Sequence, residues 1–531
     1  MANVRVILFT MIIIILQASV SAQDIDSTQI FKVKAEPSVK LRLIDAIRIT
    51  LKNNVGIAVQ DYISKIRTQE IEKEEAVFDP SLSAEISTNR RDSQVASAFA
   101  VPNISQNEND NWKLSVTQKL RSGADYEINF TNRKNNTNSA FAGLNPQYNS
   151  ELSLTVTQPL LKNFGFSINE SNIYIANNNR EISNHEFQDK VIKTLATVEN
   201  NYWDLVFSIK DLNVKKKSLE RARDLERRVR AQVKVGTLAP IEILQAQSEV
   251  ASREQLLVSA TDLIKDNEDR LKNEMNINFR LEDANRPLEP IDKPQFENDL
   301  EISFEKGITT ALDNRPDYMA KKKDLENKNI RLKFNENQIY PSLDLFATLG
   351  LNGIAGDAKI INQFNGGTSK SAFDGDYLDT LENVIDPEFY NFEVGIKLSY
   401  PLGNRSAKSK LTAARLELER SILDIKNLER LIIVQVREAV RQVKTDIKRV
   451  EAARVALRLS EEKLKAEEKK FSVGMSTSFN ILEFQEDVAE EQSNNIKAII
   501  DYRKSKNNLN RVMAVTIDHH NIQFAKPDTG K

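Results

Sequence analysis

The sequence has no cysteine and little glycine among its 531 residues. Without cysteine there are no disulfides, no thiolate metal sites, no cysteine nucleophile and no lipid-modified N-terminal cysteine. Glycine supplies only 16 residues while 28% of the chain is charged, a balance that favours long helices over a compact enzyme fold. No glycine-rich phosphate loop and no Gly-x-Ser-x-Gly elbow occurs, so no motif indicates an enzyme or a bound cofactor.

Long apolar runs are also missing, apart from one at the N-terminus. Arg5 precedes the apolar segment 6–16, and Val20-Ser21-Ala22 offers small residues for a signal peptidase. We therefore expect a signal peptide at 1–22 and an exported protein, with no transmembrane helix in the mature chain. Loss of Arg5 leaves 73 basic against 76 acidic residues, so no nucleic-acid partner is expected.

Histidine is nearly absent too, with three residues in the whole chain. His185 falls in a predicted helix, and His519 and His520 lie near the C-terminus. A metal site needs more ligands that converge. We expect no metal site and interpret His519 and His520 as a solvated pair in the tail.

The sequence contains an internal duplication. Residues 235–247 align without a gap on residues 473–485, at an offset of 238 that also relates Val198 to Val436. An offset of 261 relates Pro80-Ser81-Leu82 to Pro341-Ser342-Leu343. Repetition over half the chain length predicts one supersecondary unit made twice and related by a pseudo-twofold axis.

Each copy ends in a predicted helical hairpin. Apolar residues from Val191 to Leu212 step by four and three, a 3.5-residue period typical of a coiled-coil seam. A helix of ~65 residues at ~1.5 Å per residue is a rod of roughly 100 Å, too long for one globular core. The chain then reverses at Val235-Gly236 and, in the second copy, at Val473-Gly474.

Ahead of each hairpin the apolar period changes to two, which predicts strands with one wet face. Six segments alternate in this way, around 82–86, 112–120, 126–131, 152–156, 343–349 and 392–400. Segments 91–111 and 352–387 are expected to be surface loops. The alternation is typical of a membrane β-barrel, and a soluble amphipathic sheet is the alternative. Since one chain has too few strands to close a barrel, a membrane location requires several copies.

With these features the chain resembles the TolC-type outer-membrane factor (outer membrane efflux protein) family over nearly its whole mature length. The likeness lies in the duplicated order of helix, strands and hairpin, the two Val-Gly bends, and the exits Gln158-Pro159-Leu160 and Tyr400-Pro401-Leu402. It implies an α+β membrane protein: a homotrimer whose strands form an outer-membrane β-barrel, continued by a long periplasmic α-helical barrel. The bends would then meet a periplasmic adaptor (membrane fusion) protein and an inner-membrane pump.

On this reading the chain divides into two repeats. The first occupies 23–279, with a helix, a β segment at 80–162 and a helical hairpin at 166–277. A linker at 280–300 leads to the second repeat at 301–515, with a helix, a β segment at 341–402 and a hairpin at 405–514. Residues 516–531 form a C-terminal tail.

The resemblance also implies roles at the tip. Glu483, Asn480 and Glu242 are the candidate channel gate, because three copies of a side chain near a threefold axis form a ring. The candidate adaptor-docking residues are Val235, Gly236, Thr237, Val473, Gly474 and Met475. The plainer interpretations are solvated charges for the first set and simple chain reversal for the second.

One feature departs from the family. Pro80 and Pro159 are 79 residues apart, whereas Pro341 and Pro401 are 60 apart, so the first β segment holds an added hairpin near 112–132. We expect it to project as an extension; if it joined the wall, a trimer would have eighteen strands and not the family's twelve.

The predicted function is an outer-membrane channel of a tripartite efflux pump or of a type I secretion system. The alternative is a structural coiled-coil protein of the periplasm or cell surface without transport activity.

Overall fold

The computed structural model describes residues 38–95, 104–277, 286–297, 303–362, 368–386 and 388–523. The predicted signal peptide lies outside these residues. The described chain consists of a six-stranded sheet and a set of long helices, which confirms the α+β class.

The first repeat runs from a short strand to a long helical hairpin. Its strands are β1 Val39–Leu41, β2 Ser81–Gln94, β3 Ile104–Lys119, β4 Asp125–Thr137 and β5 Leu144–Pro159. Its helices are α1 Leu43–Asn53, α2 Val55–Glu75, α3 Phe166–Asn169, α4 Ser171–Lys234 and α5 Ile241–Met275, with a 3-10 turn at Ala76–Phe78.

The second repeat follows the same order. Its strands are β6 Leu288–Pro290, β7 Ser342–Ala358, β8 Ile361–Asn362, β9 Thr368–Ser369 and β10 Tyr390–Ser399. Its helices are α6 Phe304–Asn314, α7 Pro316–Asn337, α8 Tyr377–Ile385, α9 Arg405–Ser472, α10 Ser478–Val512 and α11 Thr516–His519.

The four long helices lie side by side. Helix α4 packs against α5, α9 packs against α10, and α10 packs against α4, so the two hairpins form one layer. The apolar seam of α4 is buried as its period predicts: the side chains of Val191, Leu195, Val198 and Tyr202 are fully buried. At both bends a glycine takes a positive φ, +81° at Gly236 and +77° at Gly474, which a residue with a side chain adopts only at a cost.

The six-stranded sheet has the order β10-β7-β5-β4-β3-β2, and all neighbours are antiparallel. The expectation that the added hairpin projects from the sheet is therefore wrong. Strands β3 and β4 lie between β2 and β5, with Leu114 opposite Phe130 and Phe130 opposite Leu152. The hairpin fits there because its alternation is in phase with its neighbours, and the ladder satisfies its backbone groups on both sides.

The two predicted loops are more ordered than expected. Strands β2 and β3 extend to Gln94 and from Ile104, so most of 91–111 is strand, while 96–103 lies outside the described residues. Segment 352–387 holds the end of β7, two short strands and α8. Helix α8 starts at a capping box in which Asp376 accepts from the backbone of Asp379 and the Asp379 side chain accepts in return.

The repeats keep equivalent positions in equivalent environments. At the offset of 261, Thr50 and Ala311 are both buried, as are Ile57 and Tyr318. At the offset of 238, buried Ile173 matches buried Leu411, and buried Ser183 matches buried Ser421. One difference stands out in the packing: α7 lies against both α4 and α9, whereas α2 packs chiefly on α4.

Candidate functional site

The apolar face of the sheet is its exposed face. On β5 the side chains of Leu152, Leu154 and Val156 are exposed, while Ser153 and Thr155 between them are half-buried. The strand register continues this face across the sheet, because Leu154 is opposite Ile128 on one side and Leu349 on the other. A sheet that covers a soluble core has the reverse arrangement.

The opposite face is polar and internally bonded. The hydroxyls of Ser83 and Ser115 are 2.7 Å apart, those of Thr155 and Thr348 are 3.1 Å apart, and Lys113 Nζ lies 3.6 Å from Glu127 Oε1. A polar, less exposed face beneath an apolar, exposed one is the pattern of a wall between lipid and water.

Both ends of this sheet are open. Among the described residues, strands β2 and β10 each pair on one side only, and nearly all of their own residues are exposed. The edges carry apolar side chains: Ile86 on β2 and Leu398 on β10 are among the most exposed residues of the sheet. Open edges of this length call for a strand partner.

The two helical bends hold the predicted docking residues. The structure leaves the whole set exposed at the ends of the hairpins: Val235, Gly236, Thr237, Val473, Gly474 and Met475. Each bend is closed by backbone bonds, from Thr237 N to Gln232 O at 3.0 Å and from Met475 N to Lys470 O at 2.9 Å. The bends thus present apolar side chains on a well-bonded turn.

The three predicted gate residues differ in environment. Glu483 is exposed on α10. Asn480 is half-buried and its Nδ2 donates to Ser476 Oγ at 3.4 Å, within its own tip. Glu242 is half-buried and accepts a hydrogen bond from the Ser478 hydroxyl, so it joins the tip of the first repeat to that of the second.

Two charged residues near the tip escaped the sequence analysis. Arg253 of α5 is 3% exposed, and its guanidinium donates to Ser218 O at 3.0 Å, Leu482 O at 2.9 Å and Glu249 Oε1 at 2.7 Å. It therefore links three helices from both repeats. Its counterpart at the offset of 238 is Glu491, so the duplication gave no signal for it.

The second is Glu467, near the end of α9. It accepts from Ser476 Oγ at 2.7 Å and from Lys470 Nζ at 2.9 Å, and these hydrogen bonds hold the pKa of its carboxyl below the ordinary value. Its counterpart in the first repeat is Val229, which is buried among apolar residues. A charge where the other copy has a buried apolar residue was a signal that the sequence did offer.

One of the two C-terminal histidines corrects a further expectation, while His519 is exposed as expected. His520 is not solvated: its Nε2 lies 3.3 Å from Glu199 Oε2, and both side chains are largely buried. Helix α11 packs against α4, and Ile517 and Ile522 contact the apolar cluster around Ile47. The segment after the second hairpin is thus part of the helical packing.

No helix within the described ranges combines the length and the apolar character that crossing a membrane would need. Among those same residues, no three histidine, aspartate or glutamate side chains are grouped so that they could hold a metal ion.

Comparison with known proteins places these features in context. The family model described as outer membrane efflux protein matches residues 127–276 and 307–515. No curated protein matches the sequence. Among solved structures, the CmeC outer membrane channel of Campylobacter jejuni is 13% identical, with a TM-score of 0.61 over 91% of this chain and 90% of that one.

Two further solved structures share the fold. The outer membrane protein VceC of Vibrio cholerae is 14% identical, with a TM-score of 0.60 over 89% of this chain and 96% of its own. The open state of the MtrE outer membrane channel of Neisseria gonorrhoeae is 14% identical, with a TM-score of 0.59 over 89% of each chain. All three are similar to this chain in overall fold.

Proposed function

Since this chain belongs to the outer membrane efflux protein family, we propose that three copies of it form the outer-membrane conduit of a tripartite efflux pump. The observation that carries the proposal is the sheet, with its exposed apolar face and two open edges. The helical hairpins then extend into the periplasm, in keeping with the outer-membrane location of the family.

The exposed apolar face weighs against a structural coiled-coil protein with a small soluble sheet. Such a sheet would bury Leu152, Leu154 and Val156 against a core, because apolar area removed from water is worth about 25 cal/mol per Å². In this protein those side chains are exposed, and the polar residues between them are the shielded ones. Contact with lipid removes the same apolar area from water.

The open edges support closure by further copies. Within one chain, β5 of the first repeat pairs with β7 of the second, and Val156 is opposite Ala347. The same joint between chains would pair β10 with β2 of the next copy and set Leu398 opposite Ile86. Three copies of six strands would then close a barrel of eighteen.

The helices support the same joint. Helix α7 contacts α4 through Asn327, which accepts from Asn178 Nδ2 at 2.9 Å. The equivalents of these residues are Ile66 on α2 and Leu416 on α9, which are 58% and 60% exposed. The joint inside the chain is a polar contact that the structure contains. At the equivalent positions both side chains are apolar and have no such contact within one chain. Packing α2 against α9 of the next copy would bury both side chains.

Cysteine pairs test the trimer and its joint together. Because the chain has no cysteine, Ile66→Cys with Leu416→Cys supplies the only thiols. Oxidation, or a short bis-maleimide, should link three chains into a covalent trimer that reduction of the disulfide reverses. The pair Ile86→Cys with Leu398→Cys should do the same within the sheet.

The internal equivalent provides a matched control. Asn178→Cys with Asn327→Cys should cross-link within one chain and leave the mass on a denaturing gel that of a monomer. A trimer by native mass that fails to cross-link at 66 and 416 would overturn this joint but keep the trimer. A detergent-solubilised monomer with an intact sheet would overturn the proposal itself.

At the tips, we assign docking of the adaptor to the exposed residues Val235, Thr237, Val473 and Met475, together with Gly236 and Gly474 that shape the bends. Glu483 is proposed as the ring residue, with Asn480 and Glu242 in supporting positions. Glu242 would act by tying the two tips together through Ser478.

Disruption of the gene should raise sensitivity to small toxic compounds. Loss of a secreted protein with unchanged sensitivity would favour the secretion system.

A further inference from the structure

Helix α8 lies on the exposed apolar face of the sheet, near one end. Its buried residues Thr380 and Val384 sit over β7, where a Cβ at Gly353 would lie 2.1 Å from the Thr380 carbonyl. The Tyr377 hydroxyl is 3.2 Å from Asn132 Oδ1. Gly353 leaves room for the helix, Asn132 contacts its first turn, and a capping box fixes that turn, so the position of α8 on the sheet is well defined.

The two flanks of α8 differ in polarity. On one flank Asn383 donates to Ile354 O at 3.1 Å. This part of β7 lies beyond the apolar rows, which are the lines of apolar side chains that cross the sheet through Leu152, Leu154 and Val156. At 100° per residue, Leu378, Leu381 and Ile385 lie on the other flank, which therefore faces the apolar rows of the sheet. Leu381 is half-buried, but Leu378 is 66% exposed and Ile385 is 80% exposed, so nothing in the described chain covers these two side chains.

Aromatic residues mark the same level of the sheet. The rings of Trp112 and Tyr377 are 5.7 Å apart, and those of Tyr148 and Tyr377 are 5.9 Å apart. Aromatic side chains collect where the apolar wall of a membrane protein meets the polar headgroups. The apolar rows end here, and polar Asn132 and Ser150 take over on the same face.

We propose that α8 is a lipid-contacting collar, lying flat in the interfacial layer of the outer membrane with Leu378 and Ile385 against the acyl chains. The occupant is lipid because the exposed leucine and isoleucine of the free flank lie beside the end of the apolar wall. Asp379, which is exposed on the flank that carries Asn383, would meet water. The inference rests on the sheet being the membrane wall, but not on the number of copies.

Spin labels on single cysteines test the collar in the full-length protein reconstituted in phosphatidylcholine vesicles. Labels at Leu378→Cys and Ile385→Cys should collide more with oxygen, which concentrates in lipid, than with a water-soluble nickel chelate. Ile360→Cys is the matched control, since Ile360 is 70% exposed but follows the end of β7. Its label should show the opposite preference. Leu154→Cys, within the wall, should favour oxygen most.

Each outcome bears on the proposal. Labels at 378 and 385 that behave like the label at 360 would place α8 in water and overturn the collar, while oxygen preference at 154 keeps the wall. Low collision rates with both reagents at 378 and 385 would mean that a protein surface, such as a second copy, covers the flank. Nickel preference at 154 would overturn both the collar and the membrane wall.

Discussion

Single side chains near the tip decide how firmly the two repeats hold each other. The apolar cluster there joins Leu225 and Val229 of α4 to Ile481 and Leu482 of α10. Arg253 and Glu242 add directed bonds between the repeats, from the guanidinium to Leu482 O and from Ser478 to the carboxylate. Polar bonds of this kind require a particular partner geometry, whereas the apolar contacts are not directional.

Replacement of Arg253 by alanine should loosen the tip. The change removes the guanidinium's hydrogen bonds to Ser218 O and Leu482 O, leaves the Glu249 carboxylate without this partner, and costs about 2 to 4 kcal/mol of local stability. We expect a larger leak conductance in planar bilayers and faster amide exchange near the bends. Arg223→Ala is the control, because Arg223 forms an exposed pair with Glu254 worth about 0 to 1 kcal/mol. Equal effects of the two changes would contradict the bridging role.

Acid should loosen the second tip before the first. The pKa of Glu467 is lowered by its bonds to Ser476 and Lys470, so the carboxylate stabilises the folded tip above the ordinary value of 4.5. That stabilisation is lost as the pH falls through the lowered folded-state pKa. Protection of the amides at 473–476, relative to their intrinsic exchange rate at each pH, should therefore fall on acidification. Protection at 235–238, where Val229 stands in place of Glu467, should change less. Glu467→Gln should remove the difference.

A carboxylate ring at the tip should favour cations. If three Glu483 side chains converge, the closed pore selects cations and multivalent cations block it, because bound cations reduce the mutual repulsion. Glu483→Gln should weaken both effects and leave trimer stability nearly unchanged. Glu242→Gln should act in the same direction but less. Unchanged selectivity and block in the Glu483→Gln channel would mean that the gate is built from other contacts.

At the scale of elements, the added hairpin changes the wall. Strands β3 and β4 lie within the sheet, and they extend its apolar face through the exposed Leu114 and Ile128 and the half-buried Val116 and Phe130. Because two strands are added, the flanking strands β2 and β5 keep their opposite directions. The helices before and after the sheet therefore keep their directions as well.

Deletion of 104–137 should therefore yield a narrower channel and not an unfolded one. Strand β2 would become the neighbour of β5 in the same antiparallel sense, and three copies would close twelve strands. We expect trimers with a lower single-channel conductance in the open state. Failure of the shortened chain to assemble would show that the wider wall is needed to match the helices.

At the scale of the whole molecule, the joint between repeats inside the chain differs from the joint that the proposed trimer would form between copies. The joint inside the chain uses Asn178, Asn327 and the ion pair of Lys323 with Glu181 at 3.0 Å. The equivalent joint between copies would use Leu416, Ile66 and Tyr62. An apolar joint suits separate chains, since burial of apolar area supplies association free energy without fixed partners.

This difference predicts how the trimer responds to substitution. Ile66→Asp would bury a charge opposite Leu416 and should shift native mass towards monomer at a given detergent concentration. Tyr62→Lys should be tolerated, because Glu419, the equivalent of Glu181, would lie opposite it. Analytical ultracentrifugation of both variants checks this. A stable trimer with Ile66→Asp would show that α2 faces solvent or another partner.

Local patterns in the sequence determined most of the secondary structure and the repeat organisation of this protein. The duplication, the helical hairpins, the two glycine bends and all six strands follow from periodicity and turn chemistry, which neighbouring residues set. The tertiary structure decided what depends on distant residues: that β3 and β4 pair into the sheet, that Arg253 reaches the second repeat, and that His520 meets Glu199. It also decided that α8 forms and lies on the apolar face. Alternation marks a strand with two faces, but only the packing of the whole chain determines which face is left exposed.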